Sequence, residues 1–315
     1  MFQWSDEHQM IRDAVKRFVD DEIRPHVDEL EHGDLPPYDI LRKLFATFGM
    51  DAMARESFKK RIERERALAA GEHVPTNGSD SSAGGGSGDG GMSLIPIIEL
   101  CRVCPGMVTA MGVSMGLTSA SIMSKGTIAQ MERWALDLLT MDKVGAWAIT
   151  EPGSGSDAFG SMRSTARRDG DDYVLNGSKT FITNGPYADT TVFICKLDDG
   201  SPPEQRKVLS FVLDRGMPGF EQSKPLRKMG MHSSPTGELF LDDVRVGRDR
   251  LIGETEDLPA GGRDGAKATF QQERSGVAAM ALGIIEECLQ LSVQYAKDRV
   301  QFGKPIGEFQ LIQDK

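Results

Sequence analysis

A change of hydrophobic period near residue 144 constrains the fold of this chain more than any other feature. Before it, apolar residues such as Val15, Phe18 and Val19 recur at three- and four-residue spacing, which predicts amphipathic helices. From residue 144 to about residue 252, short segments alternate between apolar and polar side chains, which predicts strands. Helical spacing returns at Lys267. Because this order contains no βαβ repeat, it excludes a Rossmann fold and predicts an α+β fold.

We expect three domains along the 315 residues. Residues 1–140 form an N-terminal helical domain, residues 141–258 a middle antiparallel β domain (barrel- or sandwich-like), and residues 259–315 the start of a C-terminal helical bundle. Residues 57–92 are predicted to contain a disordered loop, because a charged run leads into a Gly/Ser-rich stretch that cannot bury enough apolar surface to offset its ordering entropy. This stretch has a GxGxxG match at residues 86–91, but no strand precedes it, so we interpret the match as coincidence.

Local signals predict where elements begin and turn. Ser5 is the predicted N-cap of a helix that extends to Val27, and a second helix is predicted over residues 38–52. In the β domain, the pairs Asp169-Gly170 and Asn176-Gly177 are typical of hairpin turns.

Composition excludes several classes of protein. The formal net charge of -10 argues against nucleic-acid binding, which usually needs a basic surface. Cys101 and Cys104 lie in an apolar stretch without a second pair or a His cluster, so we interpret them as packed small hydrophobes and predict no metal site. The first residues lack the apolar segment of a signal peptide, and no run of about 18 uninterrupted apolar residues occurs. We therefore expect a cytoplasmic protein with no membrane span.

The most specific stretch is the WAITEPGSGSD segment at residues 147–157. A predicted strand ends there in a loop of glycines and serines, which can expose backbone N–H groups and hydroxyls to a ligand. The loop lacks the lysine of a P-loop, so triphosphate binding is not expected. From the glycines alone, an ordinary Gly-rich hairpin would be the preferred interpretation.

Four ordered motifs resemble the acyl-CoA dehydrogenase family. Residues 148–160 match its signature at every position, and residues 181–185 (FITNG) are similar to its WITNG strand. Residues 228–230 (KMG) with the following ELFLDDVRV, and residues 299–304 (RVQFGK) with Gln310, resemble two later motifs in the same order. The resemblance covers nearly the whole chain apart from residues 57–92, and on it the chain is identified as a member of the family.

The resemblance implies an FAD-dependent enzyme that introduces an α,β double bond into an acyl-CoA thioester. A base removes the α-proton, the β-hydride goes to flavin N5, and the electrons pass to an electron-transferring flavoprotein. It also implies fatty acid β-oxidation and a homo-oligomer, either a dimer or a homotetramer.

The resemblance also assigns site residues. Phe181 and Thr183 are expected over the flavin near N5, and Ser156 is expected to contact the substrate as well as the cofactor. Arg299 belongs to a group expected to hold the FAD of a neighbouring subunit, with Phe302 and Gln310. The complete set of expected cofactor-binding residues is Trp147, Ile149, Thr150, Gly155, Ser156, Phe181, Thr183, Arg299, Phe302 and Gln310.

Glu273 is the expected catalytic base. A smaller group of the family, which includes isovaleryl-CoA and long-chain dehydrogenases, has its base at this place, just before an arginine that matches Arg274 and contacts CoA. Much of the family has a later glutamate, so a base beyond residue 315 is the alternative. Helical geometry predicts that Glu273 shares its face with an apolar stripe, Val277, Met280, Ile284, Cys288, Leu291 and Tyr295. Such a carboxylate is desolvated and a better base; the other interpretation is a first-turn carboxylate stabilised by the helix dipole or paired with Arg274 or Lys267.

The chain departs from the family pattern in two places. The Gly/Ser-rich stretch replaces a PExYGG-like segment beside the acyl pocket, and the sequence stops after about one and a half helices of a four-helix bundle. We therefore expect a C-terminally incomplete sequence, either a fragment or a shortened protein. The alternatives for its function are an acyl-CoA oxidase or flavin monooxygenase on the same fold, and a non-catalytic pairing subunit. Acyl chain length, branching and the choice between CoA and a carrier protein are not predicted.

Overall fold

The computed structural model describes residues 4–72, 90–257 and 262–315, with the side chains of 90–91, 262–273 and 275 left out. Helices occupy the described chain up to residue 139. Their bounds are α1 Asp6–Phe18, α2 Val27–His32, α3 Tyr38–Thr47, α4 Met50–Ala69, α5 Gly90–Val103, α6 Pro105–Gly112, α7 Ala120–Lys125, α8 Ile128–Gln130 and α9 Leu136–Leu139. Three π-helical segments, Val19–Ile23, Val113–Ser119 and Met131–Ala135, lie between them.

The predicted start of the first helix is confirmed. The Ser5 hydroxyl accepts the His8 N–H at 3.3 Å. The single second helix is wrong, because Gly49 adopts a left-handed conformation (φ 64°) and separates α3 from α4. Cys101 and Cys104 are buried in the core of these helices, as expected, and burial raises the pKa of each thiol to about 12.

The charged run at residues 57–69, which leads into the predicted disordered loop, is helical and continues α4. Their Glu, Lys, Arg and Ala residues are strong helix formers, and i,i+4 ion pairs such as Arg61–Glu65 add support. Phe58 and Ile62 are buried against the rest of the protein and attach this charged helix to it. Residues 73–89, with most of the GxGxxG match, lie outside the described residues.

A seven-stranded sheet follows the helices. Its strands are β1 Gly145–Ala148, β2 Thr165–Asp169, β3 Asp172–Thr183, β4 Thr190–Leu197, β5 Val208–Asp214, β6 Phe220–Gln222 and β7 Thr236–Val246. The order is β1-β4-β2-β3-β7-β6, with β5 also paired to β4. The sheet is mainly antiparallel, as predicted, and β4 pairs antiparallel with β5. The exceptions are the parallel pairings of β4 with β1 and with β2. The long connections between these strands permit parallel pairing, which a tight hairpin does not.

Only one of the two predicted hairpins forms. Asp169-Gly170 turns the chain between β2 and β3, with Gly170 at φ 65°. Asn176-Gly177 lies inside β3, where the register with β7 shifts. A Cβ atom on Gly177 would lie 2.2 Å from the Ser164 hydroxyl oxygen, so this glycine permits a close approach of two chain segments.

The long helix α10, Gly262–Asp298, packs against α5. Gly283 marks the crossing, because an added Cβ would lie 2.1 Å from the Ile98 carbonyl oxygen. Glu287 of α10 pairs with Arg102 at 2.8 Å and with Arg24 at 2.9 Å. The chain ends in a small hairpin, β8 Val300–Gln301 and β9 Lys304–Pro305, and a short helix, α11 Gln310–Gln313.

Two described helical stretches are long and apolar enough to span a membrane by length and composition alone. Pro105–Lys125 is 56% buried within the protein, as a core helix is, whereas Gly276–Asp298 is only 11% buried. The absence of a membrane span therefore stays a prediction.

Candidate active site

The end of β1 and the strand β3 bring two predicted site segments together. The Thr180 N–H donates to the Thr150 carbonyl at 3.0 Å. The Lys179 ammonium donates to the Ile149 carbonyl at 3.0 Å and to the Glu151 carboxylate at 2.8 Å. Three hydrogen bonds thus hold residues 149–151 against the segment of β3 that leads into Phe181.

The Glu151–Lys179 pair is buried. The exposed fractions of the two side chains are 5% and 0%, and Glu151 also accepts the backbone N–H groups of Arg163 at 2.7 Å and Ser164 at 3.0 Å. Burial alone would raise the pKa of Glu151, but the hydrogen bond and charge of Lys179, together with the hydrogen bonds from Ser164 and Arg163, hold the pKa below its usual range. Glu151 therefore closes the glycine-rich loop at its base. The sequence analysis missed Lys179.

Phe181 and Thr183 lie on the outer side of β3. Phe181 is 68% exposed and has φ 57°, in the left-handed region, where β3 shifts register between Lys179 and Ile182. Thr183, two residues on, is half-buried. A large exposed aromatic residue in this conformation is unfavourable for folding alone. Such strain is typical of binding sites, and the exposed ring is accessible to a ligand.

The glycine-rich loop presents its middle to solvent and is anchored at both ends. Glu151 and Ser154 exchange two backbone hydrogen bonds of 3.0 Å, and the Lys196 ammonium donates to the Gly160 carbonyl at 2.9 Å. Gly155 and Ser156 are exposed between these anchors, and space is open beside Gly155. The loop can therefore offer N–H groups and a hydroxyl to a ligand, as its sequence predicts.

Asn184, which sequence reasoning missed, joins this site to the helices. It is fully buried in a left-handed conformation (φ 64°) directly after Thr183. Its amide nitrogen donates to the carbonyls of Ala110 at 2.9 Å and Gly145 at 2.8 Å, and its amide oxygen accepts the Tyr38 hydroxyl at 3.0 Å. An asparagine after a strand carries a turn signal, but the sequence gives no sign of its distant partners.

The three residues expected to serve a neighbouring subunit lie beyond α10. Arg299 follows that helix and Phe302 occupies the β8–β9 turn, 95% exposed at φ 53°, while Gln310 begins α11. Their segments pack against the end of α10 and against one another. A single chain does not test the role in a second subunit, which stays a prediction.

Glu273 belongs to α10, but its side chain lies outside the described residues, and Arg274 is exposed. In the single chain the described part of that stripe is largely exposed: Val277, Leu291 and Tyr295 are 55%, 59% and 60% exposed, whereas Met280 packs against the helical core. The buried residues of α10 instead include Ala279, Gly283 and Glu287. Close approach to α5 requires the small residues Ala279 and Gly283, and Glu287 is buried with its partner Arg102. The assignment of Glu273 therefore depends on the family motif.

The described residues fit a flavin. Phe181 offers an exposed aromatic face, and the half-buried Trp147, Thr150 and Thr183 lie at the joined ends of β1 and β3. A flavin ring is flat and carries hydrogen-bond acceptors along one edge, so it matches an aromatic surface bordered by hydroxyl and N–H donors. The loop beside it suits the phosphates of a dinucleotide.

Comparisons with known proteins point in one direction. The acyl-CoA dehydrogenase N-terminal, middle and C-terminal domain models match residues 5–58, 146–244 and 260–315. A short-chain-specific acyl-CoA dehydrogenase of Megasphaera elsdenii is 39% identical over 73% of this chain, and the match spans 60% of that relative. A 3-(aryl)acrylate reductase of Clostridium sporogenes is 32% identical over 99% of this chain and 74% of its own length. The caffeyl-CoA reductase-Etf complex subunit CarC of Acetobacterium woodii is 32% identical over 98% and 73%.

Solved structures agree. Butyryl-CoA dehydrogenase of Megasphaera elsdenii superposes with a TM-score of 0.79 at 31% identity, covering 100% of this chain and 75% of that one. A glutaryl-CoA dehydrogenase of Mycobacterium smegmatis in complex with FADH2 has a TM-score of 0.72 at 25% identity, over 99% and 70%. The chain belongs to the acyl-CoA dehydrogenase family of FAD-dependent oxidoreductases.

Proposed function

We propose that this protein dehydrogenates an acyl-CoA thioester between its α and β carbons. The observation that carries the proposal is the joined face of β1 and β3, where Phe181 stays exposed in a strained conformation beside Thr150 and Thr183. Family membership supplies the reaction class.

The protein's own residues bind, orient and remove a proton. Bound FAD would supply the hydride acceptor for the β-carbon, and a main-chain N–H of the protein would help to polarise the thioester carbonyl. Glu273 removes the α-proton, and Arg274 holds the CoA portion. Ser156 contacts both ligands from the glycine-rich loop, whose anchors keep it in place.

We further propose an electron-transferring flavoprotein as the electron acceptor and a homo-oligomer, such as a homotetramer, as the active assembly. The printed name of the Acetobacterium woodii relative includes an Etf complex, which supports this acceptor. Leu291 and Tyr295 are exposed on α10, and such an apolar surface is usually covered in an assembly. The role in β-oxidation and the cytoplasmic location belong to the same proposal.

The opposite direction of hydride transfer is the second candidate. Two relatives that match 98% or more of this chain are named reductases, one of 3-(aryl)acrylates and one of caffeyl-CoA. The same site can serve both directions, because the alignment of base, thioester and flavin is identical. The direction then depends on the acceptor and on the acyl group.

Product analysis tests the proposal. The purified gene product is incubated with saturated acyl-CoA thioesters and an electron-transferring flavoprotein, and separately with enoyl and aryl-acrylyl thioesters and a reduced donor. Loss of two mass units from a saturated thioester supports the dehydrogenase, whereas gain of two by an enoyl thioester alone supports the reductase. Hydrogen peroxide formed in air at the rate of product supports the oxidase. A flavin-loaded protein inactive in all three overturns the proposal and favours the pairing subunit.

A further inference from the structure

Lys179 is an ionised group in the interior with an unusual second partner. Its ammonium is 2.8 Å from Glu151, 3.0 Å from the Ile149 carbonyl oxygen and 5.2 Å from the centre of the Phe193 ring. Burying an ammonium costs several kcal/mol of hydration, which an apolar side chain of similar volume would not. The ion pair between Lys179 and Glu151 is sufficient to hold the base of the loop. The additional hydrogen bond from Lys179 to the Ile149 carbonyl therefore needs a separate explanation.

That bond fixes the orientation of one peptide unit. The Ile149 carbonyl points inwards, towards a side chain that is 0% exposed. No peptide bond in the described chain is cis, and a trans peptide directs its N–H opposite to its C=O. The Thr150 N–H therefore points away from the buried ammonium. Thr150 lies beyond the end of β1, and its N–H takes no part in the three hydrogen bonds that hold residues 149–151 against β3.

The next peptide unit is fixed as well. The Thr150 carbonyl accepts the Thr180 N–H at 3.0 Å, one residue before Phe181. Both sides of Thr150 are thus held by adjacent residues of β3, Lys179 through its side chain and Thr180 through its backbone. Rotation of the peptide between Ile149 and Thr150 would break the bond to Lys179.

We propose that Lys179 is a positioning residue for the cofactor: through the Ile149 carbonyl it holds the Thr150 N–H outwards, as a preset donor to an acceptor atom of the flavin. The inference rests on the proposed function. A fixed donor needs no reorganisation when negative charge develops on the ring, so it favours reduced over oxidised flavin. Burial lowers the pKa of Lys179, whereas the hydrogen bond and charge of Glu151 oppose this shift and hold the side chain in place.

The test removes the charge pair without leaving a lone buried charge. Lys179→Met alone strands Glu151 and is expected to fold poorly, whereas Lys179→Met/Glu151→Gln replaces both charges by neutral groups of similar size. The control is Lys143→Met/Asp137→Asn, which removes a half-exposed pair of the same 2.8 Å separation far from β3 in sequence. The readouts are thermal stability, the FAD dissociation constant, and the flavin midpoint potential of each purified flavoprotein.

We expect the double variant to fold. Its affinity for reduced flavin, divided by its affinity for oxidised flavin, should be at least tenfold lower than the same ratio in the wild type. That ratio corresponds to a midpoint potential about 30 mV lower for a two-electron couple. The control should retain the wild-type potential. A folded double variant with wild-type FAD affinity and flavin midpoint potential would show that Lys179 has only a structural role. That result would overturn this inference and leave the proposed function intact. A wild-type protein that binds no FAD would overturn the proposed function together with it.

Discussion

The Tyr38 hydroxyl donates to the Asn184 amide oxygen at 3.0 Å, and through this bond the N-terminal helices reach the residue directly after Thr183. The same amide donates to Ala110 in α6 and to Gly145 in β1. One asparagine thus joins helices and sheet at the edge of the candidate site. Desolvation raises the pKa of Tyr38, so the phenol stays protonated and keeps donating throughout the accessible pH range.

Tyr38→Phe should therefore destabilise the protein by about 1–3 kcal/mol, because it leaves the buried amide oxygen of Asn184 without a partner. The measurement is urea unfolding of the variant and the wild type. Asn184→Gly keeps the left-handed backbone but loses all three side-chain bonds, so it should cost more than Tyr38→Phe. If it costs less, the amide is not the junction that we describe.

Gly283→Ala should destabilise the packing of α10 on α5 by about 1–3 kcal/mol, the usual cost of overpacking. The added methyl group would lie 2.1 Å from the Ile98 carbonyl oxygen, which is backbone and cannot rotate away. Gly276→Ala is the matched control on the same helix, because nothing lies within 4 Å of its added Cβ. Helix propensity predicts that this control is neutral or stabilising by up to about 1 kcal/mol. Equal effects in thermal unfolding would contradict the close crossing.

Phe181→Gly should leave the cofactor-free protein about as stable as the wild type, within about 1 kcal/mol. Glycine relieves the left-handed strain but makes the unfolded chain more flexible, and the two effects are similar in size. Binding of FAD should weaken at least tenfold, since the aromatic face is lost. Met231→Gly, at φ 53° in a loop outside β3, repeats the backbone change and should not alter FAD affinity. If Phe181→Gly bound FAD with wild-type affinity, the Phe181 ring would not be part of the FAD site.

Acid should unfold the protein partly through Glu151. Because the pKa of Glu151 is lower in the folded state, the folded protein binds fewer protons there than the unfolded chain does. This contribution to stability is present above the unfolded value of about 4.3 and is lost as the pH falls through the folded pKa. In Lys179→Met/Glu151→Gln, the stability measured from pH 6 to pH 3 should fall less steeply than in the wild type. Parallel curves would contradict a lowered pKa.

Much of the architecture follows from local pattern. The change of period separates helices from strands at residues 139–145, and the cap at Ser5 and the turn at Gly170 form as their residue types predict. These features depend on residues within a few positions of one another, where spacing determines the outcome.

Contacts between distant residues are what sequence pattern does not reveal. Lys179 and Glu151 are 28 residues apart, and Asn184 and Tyr38 are 146 apart. A lysine at an inward position of a strand signals that a buried charge needs a partner, but not which carboxylate supplies it. A local signal can also mislead when the residue has a distant contact. Asn-Gly is typical of turns, yet Gly177 lies in a strand and permits a close approach to Ser164.

The central claim is tested most directly by anaerobic titration of the purified gene product with acyl-CoA thioesters of several lengths, monitoring the visible absorption of the flavin. We expect bleaching by one length class, and Glu273→Gln should retain FAD and thioester binding while losing more than about 1000-fold in the rate of reduction. Unchanged reduction in that variant would assign the base to another residue. A yellow wild-type protein that no saturated thioester bleaches would contradict the proposed dehydrogenation.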